Sequence, residues 1–186
     1  MTHRNASSSP RWICLTGFMG SGKSTVGAVL AQALNWEFID LDRRIVEFEG
    51  RSIARIFTED GEAAFRRIES DALRKVLAIT HRPSVIALGG GTYMQEVNRM
   101  LLGEQGAVTV YLEGNFEMLV DRCREGGVVR PLLEDRQRAR KLLEQRRPIY
   151  RLAEFAVEVA ERSPQAIADE IVERVFSVSA DRAVPD

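Results

Sequence analysis

The sequence predicts an α/β fold in which a parallel sheet is covered by helices on both faces. Short apolar runs alternate along the chain with stretches of helical periodicity, which is the pattern of βα units. Two of the apolar runs end directly on glycines, at Gly17 and at Gly89. The 186 residues, 45% of them hydrophobic, suit a single domain with its own core.

Each predicted strand is a short apolar run, and each predicted helix is a stretch with apolar positions on one face. The strands are predicted over 12–16, 38–39, 84–88, 108–112 and 155–159, and the helices over 24–34, 44–49, 53–57, 62–79, 116–122, 136–150 and 164–176. Strands separated by helices predict a five-stranded parallel sheet. Ligands of such sheets bind at the carboxyl ends of the strands, so the residues that follow each strand are the candidates for function.

The two ends of the chain do not share this pattern. Residues 1–10 are polar and Ser-rich, which predicts a disordered N-terminal tail, and 177–186 predict a flexible C-terminal tail. A single domain is therefore expected over 11–176. Its two cysteines, Cys14 and Cys123, are far apart in sequence and are expected to be reduced thiols, the first in a strand and the second on a helix.

The charges of the chain nearly cancel. It has 26 basic and 27 acidic side chains and a formal net charge of −1, so binding to nucleic acid or to an anionic membrane is not expected. No run approaches the roughly 18 apolar residues that a membrane span needs, and residues 1–10 lack the apolar segment of a signal peptide. We expect a cytoplasmic protein that binds small molecules, small anions among them.

The first glycine cluster is a phosphate-binding motif. Residues 17–25 read GFMGSGKST, which fits G-x-x-x-x-G-K-[ST] without a gap. The backbone N–H groups of such a loop and the start of the next helix bind phosphate. A glycine-rich turn that merely contains a lysine is the alternative, but the position between an apolar strand and an amphipathic helix favours a nucleotide site. The predicted ATP-binding residues are Gly20, Ser21, Gly22, Lys23, Ser24 and Thr25.

Two of these side chains have predicted chemical roles. Lys23 is predicted to reach the β and γ phosphates, and the Ser24 hydroxyl to bind Mg²⁺. A second metal contact is expected from an acid at the end of a neighbouring strand. The second strand ends FIDLD, and on an extended backbone Asp40 and Asp42 project to the same side.

We predict that Asp40 faces the water shell of the Mg²⁺ ion and that Asp42 faces an acceptor hydroxyl. The alternative for either aspartate is capping of the helix that begins near Arg43.

The second glycine cluster, Gly89, Gly90 and Gly91, follows the third strand. Bare backbone lets a ligand approach closely and offers N–H donors, so we predict that these glycines form a wall of the substrate site. A tight turn needed only for packing is the competing account.

The motifs GFMGSGKST, FIDLD, GRSIARIFTEDGEAAFRRIES, LGGGT, VRPLL and RRPIY, in this order, closely resemble those of shikimate kinase. The resemblance runs from about Ile13 to Val175, nearly the whole chain. It implies ATP-dependent phosphorylation of the 3-hydroxyl of shikimate, with one Mg²⁺ ion, in the route to aromatic amino acids. It also implies a nucleoside-monophosphate-kinase-like P-loop fold with a mobile lid, placed at about 123–135, and a monomer.

The resemblance implies roles on the acceptor side for residues whose motif letters match. Asp42 resembles the ligand of the shikimate hydroxyl and candidate base, and Asp40 the residue near Mg²⁺. Arg66 and Arg146 match ligands of the shikimate carboxylate, and Gly90 matches a glycine whose backbone contacts the substrate. Forked cations at one end and a carboxylate at the other suit a compound with one carboxylate and three hydroxyls.

On the nucleotide side, the resemblance implies that Arg130 is a lid arginine that closes onto the phosphates. With Lys23 and Asp42 it completes the predicted catalytic set. Arg162 resembles a residue at the adenine end of the nucleotide, and Arg124 is a further candidate there. Thr92 follows the three glycines where the family more often has Ala, which adds a hydroxyl near the substrate.

Each arginine also has a structural alternative. Arg66 is followed by Arg67 and Arg146 by Arg147, and one member of each pair is expected to be a solvated or salt-bridged surface residue. Without the resemblance, the residues do not decide between neighbours. Arg130 lies among Gly126, Gly127 and Pro131, where a structural loop arginine is the alternative to a functional one.

Two other functions fit part of the pattern. A different small-molecule P-loop kinase, such as one that acts on gluconate, shares the loop and the fold, but the joint presence of Asp42, Arg66, the glycine cluster and Arg146 disfavours it. A non-catalytic ATP-binding homologue that regulates a partner is the second alternative. Loss of Asp42 or Arg130 would favour it, and both residues are present.

Overall fold

The computed structural model describes residues 10–125 and 135–181. Within them, the strands form one parallel sheet with the order β2-β3-β1-β4-β5, which confirms the predicted fold class. The strands are β1 (Trp12–Thr16), β2 (Glu37–Asp40), β3 (Ser84–Ala87), β4 (Val108–Glu113) and β5 (Phe155–Glu158).

The helices are α1 (Lys23–Leu34), α2 (Leu41–Glu49), α3 (Ile53–Ile79), α4 (Glu96–Glu104), α5 (Phe116–Glu125), α6 (Arg136–Tyr150) and α7 (Pro164–Asp181), with a 3₁₀ turn at Thr92–Met94. Helix α4 and the 3₁₀ turn were not predicted. Helix α7 continues to Asp181, five residues beyond the helix predicted over 164–176.

Each face of the sheet has its own hydrophobic core. Along β1, Trp12 and Cys14 enter the core shared with α2 to α6, whereas Ile13 and Leu15 enter the core shared with α1 and α7. All five residues of β1 are buried, as expected for a parallel strand covered on both sides. This central strand thereby holds the loop that follows it, from Gly17 onward, between two packed layers.

Helix α3 is broken at Gly61, between the two helices that the sequence analysis predicts over 53–57 and 62–79. Gly61 has φ 81° and ψ 173°, which is a backbone conformation accessible essentially to glycine alone. The predicted helices over 53–57 and 62–79 are thus two segments of one element joined at Gly61. The first segment is longer than predicted and continues to the residue before this glycine.

Both cysteines are buried free thiols, with Cys14 in β1 and Cys123 in α5, as predicted. Burial raises the pKa of the Cys14 thiol to about 12. In the part of the chain that the structure describes, no helix has the length and apolar character needed to span a membrane. The predicted lid falls largely on 126–134, outside the described residues, while Asp135 caps α6 through the backbone N–H of Arg138.

Candidate active site

The carboxyl ends of β1, β2 and β3 open into one cleft of about 520 Å³. Because β3 lies between β1 and β2, its glycines are placed between the P-loop and the two aspartates. Residues predicted from the sequence that line the cleft are Gly20, Gly22, Lys23, Ser24, Thr25, Asp40, Asp42, Arg66, Gly89, Gly90, Gly91 and Arg146.

The P-loop wraps tightly over α5. Gly20 has φ 77°, and a side chain there would overlap the carbonyl oxygen of Leu119, so both the backbone conformation and the space require glycine. Ser21 is fully buried beneath the loop and does not line the cleft. Gly22 caps α1 without a side-chain acceptor, and the N–H groups at the start of a helix are a common binding site for an anion.

Lys23 folds back over the loop. Its Nζ donates to the carbonyl oxygens of Gly17 at 2.8 Å and of Phe18 at 2.9 Å. These bonds hold the ammonium group at the mouth of the loop, next to the start of α1. A point charge at this position suits the predicted contact with terminal phosphates.

The two predicted metal contacts meet directly. The Ser24 hydroxyl donates to Asp40 Oδ2 at 2.6 Å, across the gap between α1 and β2. Asp40 also caps α2, where its Oδ1 accepts the N–H of Arg43 at 3.3 Å. Asp40 therefore caps α2 and also lies beside Ser24, the predicted metal ligand, so the two roles offered as alternatives are compatible.

Asp42 lies in the first turn of α2 and not on a strand. The expectation that both aspartates project from an extended backbone is wrong, because β2 ends at Asp40 and the cap starts the helix at Leu41. Leu41 is fully buried, and Asp42 is exposed at the rim of the cleft. A side chain at Gly89 would begin 2.8 Å from Asp42 Oδ1, so this carboxylate rests against bare backbone.

Arg66 enters the cleft from α3, whereas Arg67 is exposed and does not line it. Arg66 Nη1 donates to Glu69 Oε2 at 2.9 Å and Nη2 to Glu62 Oε1 at 3.2 Å. Partial burial opposes the charged form, but the two glutamates outweigh it and raise the pKa of the Arg66 guanidinium above its usual value. The cleft therefore has a fixed cation on this side.

Glu69 is a cleft residue that sequence reasoning missed. It is 1% exposed, and its partners include Thr92 and Gln95, which are 23 and 26 residues away along the chain. The available signal was its position one helical turn after Arg66, which places the two side chains on the same face. A buried glutamate in a charge-rich helix is not otherwise marked in the sequence.

Arg146 enters the cleft from α6 and donates from Nη1 to the carbonyl oxygen of Gly90 at 3.1 Å. The Tyr150 hydroxyl donates to the same oxygen at 2.5 Å. Burial raises the pKa of Tyr150 to about 12, against the opposing effect of Arg146, so the phenol remains a donor. The neighbouring Arg147 instead pairs with Glu113 at the end of β4, at 3.9 Å.

The lack of side chains in the glycine cluster leaves room for the neighbouring side chains of Asp42, Arg66 and Glu69. A side chain at Gly91 would overlap the Arg66 guanidinium, and one at Gly89 would begin 2.8 Å from Glu69 Oε1. The packing account thus applies to Gly89 and Gly91. All three glycines also line the cleft, as the substrate-wall prediction requires.

An apolar wall from α3 completes the side of the cleft that holds Arg66. Ile53 and Phe57 come from the first segment of α3 and Phe65 from the second. The rings of Phe57 and Phe65 lie 4.5 Å apart. The sequence analysis did not single out these residues, since their periodicity is that of an ordinary helix face.

The remaining arginines are distributed differently. Arg130 lies outside the described residues. Arg162 does not line the cleft: it pairs with Glu170 and donates to the carbonyl oxygens of Glu158 and Ala166, so its nucleotide role stays a prediction. On α5, Arg122 lines the cleft, whereas Arg124 is exposed and is not among its lining residues.

Comparison with known proteins places the chain in a family. A family model described as shikimate kinase matches residues 19–176. The shikimate kinase of Salinibacter ruber is 41% identical over 177 residues, covering 89% of this chain and 85% of that protein. A shikimate kinase of Thermus thermophilus is 41% identical over 169 residues, covering 89% of this chain and 90% of that protein.

Solved structures agree with these sequence matches. The shikimate kinase from Acinetobacter baumannii, in complex with shikimate, superposes with a TM-score of 0.83 at 34% identity, covering 91% of this chain and 95% of that one. A gluconokinase from Sinorhizobium meliloti superposes with a TM-score of 0.68 at 21% identity, covering 93% of this chain and 95% of that one, which shows a shared fold. The chain belongs to the shikimate kinase family.

Proposed function

We propose that this kinase transfers the γ-phosphoryl group of ATP to the 3-hydroxyl of shikimate, giving shikimate 3-phosphate and ADP. The observation that carries the proposal is the convergence of Arg66, Arg146 and Asp42 on the cleft that holds the P-loop. The two arginines come from different helices and the aspartate from a third. A site for a nucleotide alone has no need of this acceptor half.

The acceptor half matches the chemistry of shikimate. Guanidinium groups bind a carboxylate through paired N–H donors, and Arg66 and Arg146 are two such groups in the cleft. The Asp42 carboxylate accepts a hydrogen bond from the 3-hydroxyl of shikimate and so orients the hydroxyl oxygen toward the nucleotide. The wall of Ile53, Phe57 and Phe65 supplies apolar surface for the ring carbons.

The donor half binds the triphosphate. N–H groups of the loop from Gly20 to Thr25 and the amino end of α1 contact the phosphates, and Lys23 exchanges its bonds to Gly17 and Phe18 for phosphate oxygens. Arg130 is proposed to add a second cation from the lid at about 123–135. Arg162 is proposed to contact the adenine end, after exchange of its present partners.

The residues present fit one Mg²⁺ ion. Magnesium prefers oxygen ligands, keeps several waters and needs only one or two protein contacts beside substrate phosphates. Ser24 Oγ and Asp40 Oδ2 are two oxygens at the cleft, held 2.6 Å apart. Ser24 would bind the ion directly and Asp40 through water, and the bound ion would neutralise charge on the phosphates.

Phosphoryl transfer depends mainly on positioning and on charge stabilisation. In this chain, Arg66 and Arg146 fix one end of the acceptor and Asp42 fixes its reacting hydroxyl. Lys23 stabilises the negative charge of the moving group. Asp42 accepts the hydroxyl proton, or only orients the hydroxyl, as the new P–O bond forms and the bond from the γ phosphorus to the β–γ bridging oxygen breaks, with ADP as the leaving group.

We also propose the finer properties that the family resemblance implies. The enzyme is then a cytoplasmic monomer that acts in aromatic amino-acid biosynthesis and has a single domain over 11–176. The nearly balanced charge of the chain, −1 overall, supports small-molecule partners over nucleic acid or membranes. Growth of a shikimate-kinase-deficient bacterium on minimal medium tests the pathway, and light scattering tests the monomer.

The direct test uses purified protein, ATP and Mg²⁺ with a panel of acceptors: shikimate, gluconate and nucleoside monophosphates. We expect ADP release that depends on shikimate, and shikimate 3-phosphate by mass spectrometry. Preference for gluconate would support the alternative function, a P-loop kinase that phosphorylates gluconate. ATP binding without turnover of any acceptor would support the regulatory homologue.

A further inference from the structure

The carboxylate of Glu69 is the centre of a buried hydrogen-bond network beside the cleft. Its Oε1 accepts from the Thr92 hydroxyl at 2.7 Å. Its Oε2 accepts from Arg66 Nη1 at 2.9 Å and from Gln95 Nε2 at 3.0 Å. A carboxylate that is 1% exposed needs such partners, because its desolvation is otherwise costly. Together they fix its rotation.

The division of partners between the two oxygens limits how Glu69 can bind Arg66. An arginine and a carboxylate commonly pair through two parallel bonds, which use both oxygens and two N–H donors. Here Thr92 on Oε1 and Gln95 on Oε2 hold the carboxylate in a rotation in which only Oε2 contacts Arg66, so Glu69 holds Arg66 by a single bond from Nη1. The second bond of the guanidinium goes to Glu62, which is 68% exposed and is exchangeable with solvent. Arg66 therefore keeps N–H donors for a ligand in the cleft.

We propose that Thr92 is a positioning residue for the substrate carboxylate, because its hydroxyl holds the Glu69 carboxylate in the rotation that makes one bond to Arg66 instead of two. The inference deepens the proposed function and rests on it. Thr92 touches Glu69 and not the reacting atoms, so it acts through Arg66. Its effect is on affinity for the carboxylate and not on the phosphoryl transfer step.

The framework around Thr92 is well suited to this role. Its backbone N–H donates to the carbonyl oxygen of Gly89 at 3.1 Å, and its carbonyl oxygen accepts from Asn98 Nδ2 at 2.9 Å. Thr92 is fully buried and begins the 3₁₀ turn. These backbone bonds are independent of the hydroxyl, so a side chain of the same shape leaves them in place.

The test compares Thr92→Val, which keeps the shape and removes the hydroxyl, with Thr92→Ser, which keeps the hydroxyl. For Thr92→Val we expect the KM for shikimate to rise about tenfold, the effect of losing one hydrogen bond to a charged group. The kcat and the KM for ATP stay within about twofold. Thr92→Ser restores the KM for shikimate, and calorimetric titration with shikimate shows the same order of affinities.

Two controls separate positioning from general damage. Thr109→Val removes a buried hydroxyl that bonds the backbone N–H of Glu154 away from the cleft, and is expected to lower the Tm without raising the KM. Shikimate methyl ester, which lacks the negative carboxylate, tests the mechanism. We expect Thr92→Val to weaken binding of shikimate about tenfold and of the ester less than about twofold.

Three results would overturn the inference: an unchanged KM in Thr92→Val, an equal loss for shikimate and its ester, or no restoration by Thr92→Ser. In an Arg66→Ala background, Thr92→Val should have no further effect on the KM, and a second loss of about tenfold would also contradict it. Absence of shikimate turnover by the unaltered protein would instead overturn the proposed function, and this inference with it.

Discussion

Adjacent arginines in this chain have different surroundings although their sequence contexts are nearly the same. Arg66 lies in the cleft and Arg67 in solvent; Arg146 contacts Gly90, and Arg147 pairs with Glu113. Consecutive residues on a helix are separated by about 100°, so only one of each pair can face the cleft. Each outward neighbour is therefore a matched control for the inward one.

Replacing Arg66 by alanine is expected to raise the KM for shikimate by about tenfold or more, because a charge-assisted contact to the carboxylate is lost. The KM for ATP should change less than about twofold. Steady-state kinetics with each substrate varied measures both constants. Arg67→Ala is the control and should leave both near their original values. A selective loss of ATP binding in Arg66→Ala would contradict the assigned role.

Replacing Asp42 by asparagine is expected to lower kcat by about 10²–10⁴, the contribution of a positioned general base. The Tm should change little, because Asp42 is exposed on α2. Glu47→Gln, a similar change on the same helix, controls for altered surface charge and should keep full activity. If Asp42→Asn retained its kcat, the aspartate would have no part in orienting or deprotonating the hydroxyl.

At the scale of elements, two glycines with equally open surroundings differ in backbone conformation, and we expect opposite effects on stability when each is replaced. Gly61 in α3 and Gly103 in α4 both have nothing within 4 Å of the place where a side chain would begin. Gly61 has φ 81° and divides α3 into a segment that carries Phe57 and one that carries Arg66. Gly103 is an ordinary helical residue. The backbone conformation alone distinguishes them.

Gly61→Ala is therefore expected to lower the free energy of unfolding by about 1–3 kcal/mol, the cost of a side chain in a glycine-only conformation. Gly103→Ala should raise it by about 0.5 kcal/mol, since alanine restricts the unfolded chain and favours the helix. Urea denaturation of both variants measures these changes. Equal effects would mean that the break at Gly61 is not maintained in solution.

At the scale of the whole molecule, two buried weak acids, a cysteine thiol and a tyrosine phenol, have raised pKa values in the folded chain. Burial raises the pKa of Cys14 in β1 to about 12 from 9.0, and of Tyr150 in α6 to about 12 from 10.0. In each case the folded chain retains a proton that the unfolded chain loses at lower pH. This stabilisation is complete below the unfolded pKa and disappears as the pH rises to the folded one.

The free energy of unfolding is accordingly expected to fall between about pH 9 and pH 12, by up to about 1.4 kcal/mol per pH unit for each group. Chemical denaturation at several pH values measures this slope. Cys14→Ala should make the slope shallower between about pH 9 and 10, although it lowers stability at neutral pH through the lost volume. An unchanged slope in that variant would show that Cys14 does not contribute.

Much of the fold was predictable because its signals are local. The P-loop is a contiguous pattern, and α6 was predicted with its observed bounds, Arg136–Tyr150. Helix α4 is only nine residues long, Glu96–Glu104, which is too short to show more than two turns of a helical pattern, and it was missed. In the site, Glu69 and Thr92 were not predicted as partners because their contact joins α3 to the 3₁₀ turn, which depends on tertiary packing. The choice of Arg66 and Arg146 required the family resemblance.

The order of the strands has a consequence for how the acceptor can vary. Strand β3 separates the P-loop strand β1 from the aspartate strand β2, and neighbouring strands lie about 4.8 Å apart. In the proposed site, the spacing between the P-loop and the start of α2, where Asp42 lies, is therefore set by backbone hydrogen bonds of the sheet. Arg66 and Arg146 come from α3 and α6, which are not part of the sheet. We therefore expect substitutions on these two helices to change which acceptor is bound while the spacing set by the sheet stays constant.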